Sequence, residues 1–124
     1  MAIAKLTLTA IDCPDNRALA QFYSEITGWP VSPDSDDEWV WLESDTGTTL
    51  AFQRSPDHVP PTWPDGERPQ QLHLDFDVPN LDQGEAAVLA LGARKCDHQP
   101  GETFRVYLDP AGHPFCLVLR GPVA

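Results

Sequence analysis

The sequence is poor in positive charge and has no CxxC motif. Eight Lys and Arg stand against nineteen Asp and Glu, which leaves a formal charge of −11. Such a charge repels phosphate backbones and anionic lipid surfaces, so neither a nucleic acid nor a membrane is expected as a partner. The cysteines, Cys13, Cys96 and Cys116, are widely spaced without a CxxC pair, which predicts reduced thiols rather than disulfides or a structural zinc site.

Long apolar runs are also missing. No stretch approaches the ~20 apolar residues of a membrane span, and the opening MAIAKLTLTA lacks the apolar core of a secretory signal. We therefore expect a cytoplasmic protein. At 124 residues, 41% of them hydrophobic and 22% charged, the chain has the size and composition of a single globular domain.

The first half of the chain alternates between strand and helix signals. Strands are predicted at residues 3–11, 38–43 and 48–54, with a short extra strand near Val31. After the first strand the apolar period becomes that of a helix, which Asp15 can cap and Gly28 can stop. The apolar stripe of this helix consists of Leu19, Phe22, Tyr23 and Ile26. The first half therefore has a βαββ plan, module 1, at about residues 3–56.

A proline-rich connector, about residues 55–69, separates this module from a second one at about residues 70–120. In module 2, strands are predicted at residues 71–78, 94–98, 103–109 and 114–120. A helix from Leu81 to Leu91 has Asn80 as its cap and Gly92 as its stop. The order of strand and helix thus repeats.

An offset of 65 residues relates the two halves. It carries Leu8 onto His73, Gly47 onto Gly112 and Ala51 onto Cys116. The repeat lies in the plan of caps, stops and turns rather than in residue identity. Each half forms a sheet with a helix on one face, so we expect an α+β protein whose two modules form a curved, barrel-like mixed sheet with the helices outside.

This paired βαβββ plan resembles the vicinal oxygen chelate superfamily, the glyoxalase, bleomycin-resistance and extradiol-dioxygenase group, in its glyoxalase-like branch. The similar segments are IDCPDNRALAQFYSEITGW, TLAFQR, QLHLDFDVPNLD, LALGA and YLDPAGHPFCLVL. The resemblance runs from about Leu6 to Leu119. It implies a small-molecule pocket and, from the family's antibiotic-binding members, a homodimer.

The resemblance also implies four positions for a divalent metal, one on the first and one on the last strand of each module. They correspond to Leu8, Ala51, His73 and Cys116 in this sequence. Leu8 and Ala51 have no donor atom, so only His73 and Cys116 remain of a site that needs three or four ligands. We therefore expect no metal cofactor, with a divalent metal as the alternative.

Strand alternation places His73 and Asp75 on the face opposite Leu74 and Phe76, and the thiol of Cys116 is expected in the same pocket. His73 is the candidate catalytic residue, as a general base oriented by Asp75; the alternative is a buried histidine that only stabilises the sheet. Cys116 is either a nucleophile beside His73 or an inert buried thiol.

Aromatic residues complete the predicted ligand site. Trp39 and Trp41 lie on one face of a strand and could stack on a heterocycle, or else they belong to the core or a dimer interface. Trp63 in the connector covers the pocket mouth or anchors the loop. Gln53 could orient a ligand from its strand.

Two classes of function fit these residues. The first is a small-molecule-binding protein, homodimeric and without the usual catalytic metal, whose ligand is aromatic or cationic. The second is a lyase, isomerase or dioxygenase of the same superfamily that uses a metal or His73 as base. An interaction domain whose pocket is filled by its own side chains is a third alternative.

Overall fold

The computed structural model describes residues 2–119, which form seven strands and two helices. The chain divides into two compact units, Met1–His58 and Val59–Ala124. The first unit contains β1 (Leu8–Cys13), α1 (Asn16–Thr27), β2 (Trp39–Trp41) and β3 (Thr49–Arg54). The second contains β4 (Leu74–Val78), α2 (Leu81–Ala90), β5 (Arg94–Lys95), β6 (Phe104–Leu108) and β7 (Pro114–Leu119). Neither helix of the described segment is long and apolar enough to cross a membrane.

Helix α1 begins and ends at the residues that the sequence predicts. The Asp15 carboxylate accepts a hydrogen bond from the backbone N–H of Ala18 at 3.0 Å, which satisfies one of the free donors of the first turn. Gly28 ends the helix with φ at 76°, a conformation that glycine adopts without steric cost. The apolar stripe is buried at Leu19, Phe22 and Tyr23 and half-buried at Ile26.

The first sheet has the strand order β1-β3-β2 and packs one face beneath α1. Ile11, Val40 and Phe52 are buried on that face, and the Phe52 ring stacks on Tyr23 of the helix with centroids 5.7 Å apart. This aromatic contact and the surrounding aliphatic side chains form the core of the first unit.

The second sheet has the order β4-β7-β6-β5, and α2 packs against β7. Phe115 of β7 is fully buried and stacks on Tyr107 of β6 with centroids 5.5 Å apart. Gly84 lets the helix approach closely, since a Cβ atom there would lie 3.1 Å from the Leu117 side chain. Helix α2 starts at the predicted cap, where Asn80 accepts from the backbone N–H of Gln83 at 2.9 Å.

The parallel strand pair of each unit joins residues with the same sequence separation. In the parallel pairs, Leu8 lies opposite Thr49 and Leu74 opposite Phe115, so the partners are 41 positions apart in both units. The predicted offset of 65 also carries the pair Trp39 and Gln53 onto the pair Phe104 and Val118. The predicted α+β class built of two related modules is confirmed.

Several predicted strands are too long. Residues 3–7 and 71–73 lie outside β1 and β4 because the parallel pairing begins only at Leu8 with Thr49 and at Leu74 with Phe115, and a ladder requires a partner. The extra strand near Val31 is a single bridge to Leu42. The last strand was predicted to reach Arg120, which lies outside the described residues.

The strand predicted at residues 94–98 also ends early, at Lys95. From residue 97 onward, the side chain of Gln99 makes the hydrogen bonds to β6 that a strand backbone would make. Its Nε2 donates to the carbonyl oxygens of Cys96 and Val106, and its Oε1 accepts from the N–H of Val106. A side-chain amide has the same donor and acceptor groups as a peptide, so it satisfies the edge of β6 without a further strand.

Candidate functional site

Three potential ligating or catalytic side chains meet on the second sheet. Asp75 of β4 lies directly opposite Cys116 of β7, and His73 precedes Asp75 by two residues on the same face. Nε2 of His73 lies 3.4 Å from Oδ1 of Asp75. The nitrogen, carboxylate and sulfur atoms of the three residues all lie within 4.8 Å of one another. The sheet therefore assembles the cluster His73-Asp75-Cys116 through strand pairing alone.

The members of this cluster differ in exposure. The side chains of His73 and Asp75 are 44% and 43% exposed, whereas Cys116 is buried. Burial, together with the negative charge of Asp75 and a hydrogen bond to it, raises the pKa of the Cys116 thiol to about 11. At neutral pH the sulfur is therefore protonated, which disfavours Cys116 as a nucleophile acting without help.

A cleft of about 480 Å³ opens above this cluster. Its lining consists of the three cluster residues and of residues from β6, β7 and the turn before β6. The lining residues besides the cluster are Thr103, Phe104, Val118 and Leu119. A cleft of this volume with mixed polar and apolar walls is typical of small-molecule sites.

None of these four lining residues was among the site residues predicted from the sequence. Phe104 and Val118 are the counterparts of Trp39 and Gln53 under the offset of 65, so the repeat that pointed to the first pair also pointed to the second. Thr103 has no such signal. It lies in the cleft because its carbonyl accepts from the N–H of Leu119 at 2.8 Å.

Three predicted site residues lie within the first unit. Trp39, Trp41 and Gln53 lie on one face of the first sheet, where Trp39 pairs with Gln53 and Trp41 with Ala51. Both indoles are half-buried and Gln53 is exposed. The structure thus brings these three side chains together within the first unit, on the face away from Phe52.

Trp63 lies in the part of the connector that belongs to the second unit, and it packs against His98 of the same unit. The ring centroids are 5.6 Å apart with the planes tilted by 46°. Trp63 is half-buried and does not line the cleft. This contact supports the alternative in which Trp63 anchors the connector.

The complete four-position metal set implied by the resemblance does not fit this chain. Leu8 and Ala51 offer only carbon atoms, and Ala51 is fully buried. The other two positions, His73 and Cys116, carry donors, and Asp75 adds a third donor within 4.8 Å of both. Of the four expected positions, the two in the second unit therefore carry donor atoms for a divalent ion and the two in the first unit do not.

Comparison with known proteins agrees with this architecture. Residues 9–118 match the family model of the glyoxalase-like domain. A glyoxalase/bleomycin resistance protein/dioxygenase family enzyme from Burkholderia phytofirmans PsJN superposes with a TM-score of 0.72 at 17% identity, over 92% of this chain and 97% of that chain. A glyoxalase-related enzyme from Fulvimarina pelagi gives 0.66 at 21% identity, over 95% and 89%.

The structure named oxidase ChaP-H2 also has a TM-score of 0.66, at 22% identity, covering 99% of this chain and 98% of that chain. A comparison with curated proteins found no significant match. The fold and the paired modules define a protein of the vicinal oxygen chelate superfamily. Within it, the chain belongs to the glyoxalase-like domain family.

Proposed function

We propose that this protein binds a small aromatic or cationic molecule in the cleft of the second unit. The observation that supports this proposal is the mixed lining of the cleft. The Phe104 ring and the side chains of Val118 and Leu119 offer an apolar surface, and the exposed Asp75 carboxylate offers a negative charge beside it. A flat ligand that carries a positive charge matches both surfaces.

The charge of the whole chain supports the same ligand class. A formal charge of −11 attracts cations over the range of about a Debye length, ~8 Å in physiological salt. The first-unit face with Trp39, Trp41 and Gln53 is a second aromatic surface of the kind that stacks on heterocycles. We include these three residues in the proposed binding function. This function does not use the family's complete metal set.

The test is a titration with matched ligands followed by nuclear magnetic resonance of the backbone amides. A quaternary aromatic ammonium, its neutral isostere and an aromatic carboxylate form the panel. We expect shifts centred on β6 and β7, and preference for the cation. Asp75→Asn should weaken binding of the cation about 5- to 10-fold, with little effect on the neutral isostere.

Two further variants separate the cleft from the rest of the surface. Phe104→Ala should weaken binding of the cation and of the isostere alike, since both stack on the ring. Asp77→Asn is the control, because Asp77 lies two residues further along β4 and does not line the cleft. Shifts centred elsewhere, or equal effects of Asp75→Asn and Asp77→Asn, would contradict the proposed site.

A His73-based enzyme of the same superfamily is the second candidate. The observation that favours it is the contact between Nε2 of His73 and Asp75 at 3.4 Å, since a carboxylate beside an imidazole orients it as a general base. Carbonyl-bearing ligands found in the titration can be incubated in heavy water. Loss of a C–H signal with the wild type and not with His73→Gln would favour the enzyme; no exchange in either would favour binding alone.

The quaternary structure and location are part of the proposal. A homodimer is expected from the resemblance, and a cytoplasmic location agrees with the wide cysteine spacing in the sequence, which predicts reduced thiols. Sedimentation at micromolar concentration distinguishes a dimer from a 13.7 kDa monomer.

A further inference from the structure

We infer that the second unit alone binds one thiophilic divalent ion, of the zinc class, through Nε2 of His73, a carboxylate oxygen of Asp75 and Sγ of Cys116. This site differs from the family's arrangement, because all its donors come from one module and Asp75 is not one of the four positions that the resemblance implies. The inference deepens the proposed function and rests on it for the cleft above the cluster.

Distances within the cluster suit such an ion. Zinc bonds of ~2.0–2.3 Å to nitrogen, oxygen and sulfur place tetrahedral donors about 3.3–3.8 Å apart. His73 and Asp75 already meet this spacing at 3.4 Å, and all three donor atoms lie within 4.8 Å. The remaining contraction is about 1 Å, and the two exposed side chains can supply it by small rotamer adjustments while Cys116 stays in place.

The backbone holds the donors in this arrangement. Asp75 and Cys116 are direct partners in the parallel ladder, and the following pairs, Phe76 with Leu117 and Asp77 with Val118, continue it without a bulge. The Cβ atoms of opposite residues on one face are close neighbours in any sheet. A site on paired strands is therefore preorganised, and binding does not require the chain to refold.

The donor types select the ion. Imidazole, carboxylate and thiolate together suit Zn²⁺ and Co²⁺, whereas Mg²⁺ and Ca²⁺ require oxygen ligands. With three protein ligands, a tetrahedral ion would have one position left for a further donor. The three cluster residues line the cleft together with Phe104 and Val118. A ligand with an oxygen or nitrogen donor could reach the ion there. The proposed ligand class thus extends to aromatic molecules with a chelating heteroatom.

The test uses Co²⁺ as a spectroscopic probe on the full chain, reduced and freed of metals by a chelator. We expect one equivalent to bind, with a sulfur-to-cobalt charge-transfer band in the near ultraviolet, and Zn²⁺ to abolish the band by displacement. Cys116→Ser should remove the band. His73→Ala and Asp75→Asn should each weaken binding roughly 100-fold or more, since even outer partners of metal ligands contribute 10- to 100-fold.

Matched controls are available in the same unit. Cys96→Ser and Asp77→Asn change a cysteine and an aspartate outside the cluster and should leave the cobalt titration unchanged. Circular dichroism of each variant checks that it folds. A band that survives Cys116→Ser, a band lost in Cys96→Ser, or the absence of saturable binding in the folded wild type would each overturn the inference.

The metal site and the proposed binding function fail separately. The cobalt titration contains no organic ligand, and the ligand titration can be run on chelator-treated protein. Ligand binding without any cobalt band leaves the binding function standing and overturns the metal site. A cobalt band without ligand binding in either metal state supports the metal site and contradicts the binding function.

Discussion

Glu85 lies at the centre of a polar network that joins α2 to β5 and β6. Its Oε1 accepts a hydrogen bond from the Tyr107 hydroxyl at 3.0 Å and lies 2.9 Å from Nζ of Lys95 and 3.4 Å from Nη1 of Arg105. The Glu85 side chain is only 22% exposed. Replacing Glu85 therefore tests how far this network, rather than apolar packing alone, holds α2 to β5 and β6.

The expected cost depends on which part of the interaction is removed. Glu85→Gln keeps an acceptor for Tyr107 and removes the charge, so we expect a loss of about 1 kcal/mol, allowing for solvent screening of the half-exposed lysine. Glu85→Met removes the acceptor as well and leaves the buried Tyr107 hydroxyl without it. That variant should lose about 2–3 kcal/mol.

The effect of Glu85→Gln should depend on pH. The hydrogen bond from Lys95 is the main cause that lowers the pKa of Glu85 below its ordinary value. In the unfolded chain the carboxyl titrates at its ordinary pKa of 4.5, so between that value and the lower folded pKa the unfolded chain binds more protons and stability rises with pH. The stabilisation is fully present above the unfolded pKa and is lost as pH falls through the folded pKa.

The measurement is urea unfolding followed by circular dichroism at several pH values. The difference between wild type and Glu85→Gln should be constant near neutrality and shrink on acidification. Glu25→Gln is the control, because Glu25 only accepts from Gln21 on the exposed face of α1 and should change stability by less than ~0.5 kcal/mol. Equal stability of Glu85→Gln and wild type at pH 7, or a difference that persists undiminished in acid, would refute the reasoning.

Two other substitutions test the cleft and the first helix. Gly101→Ala should lower the free energy of unfolding by about 1–3 kcal/mol and weaken binding of aromatic ligands, because a Cβ atom would overlap the Phe104 ring. Thermal denaturation measures the first effect and ligand titration the second. Unchanged values in both assays would contradict the prediction. Asp15→Ala should lose about 1 kcal/mol through the hydrogen bond to Ala18, whereas Asp15→Asn should lose only a few tenths in the same thermal assay; equal losses would exclude capping as the cause.

The helices and their ends were predictable because the signals are local. Asp15 and Asn80 cap the two helices through hydrogen bonds to backbone groups three residues away. Gly28 and Gly92 both have positive φ just where the apolar period stops. Interactions over so few residues depend little on the rest of the chain.

Strand ends were predicted less well because they depend on distant partners. β1 begins where β3 begins to face it, 41 positions later in the chain. β5 ends where the Gln99 side chain replaces a strand in pairing with Val106. Neither effect is visible in the residues of the strand itself, since hydrogen bonds of a ladder come from outside the segment.

The sequence by itself determined the two-module plan, the offset of 65 and the shared face of His73 and Asp75, because periodicity and spacing decide which way successive side chains point. Only the tertiary structure placed Cys116 directly opposite Asp75 and added Phe104 to the same cleft. Pairing of strands that lie 41 residues apart decides the contact between Asp75 and Cys116. In our proposal, the carboxylate of Asp75, two residues from His73, replaces the donors that the first module lacks.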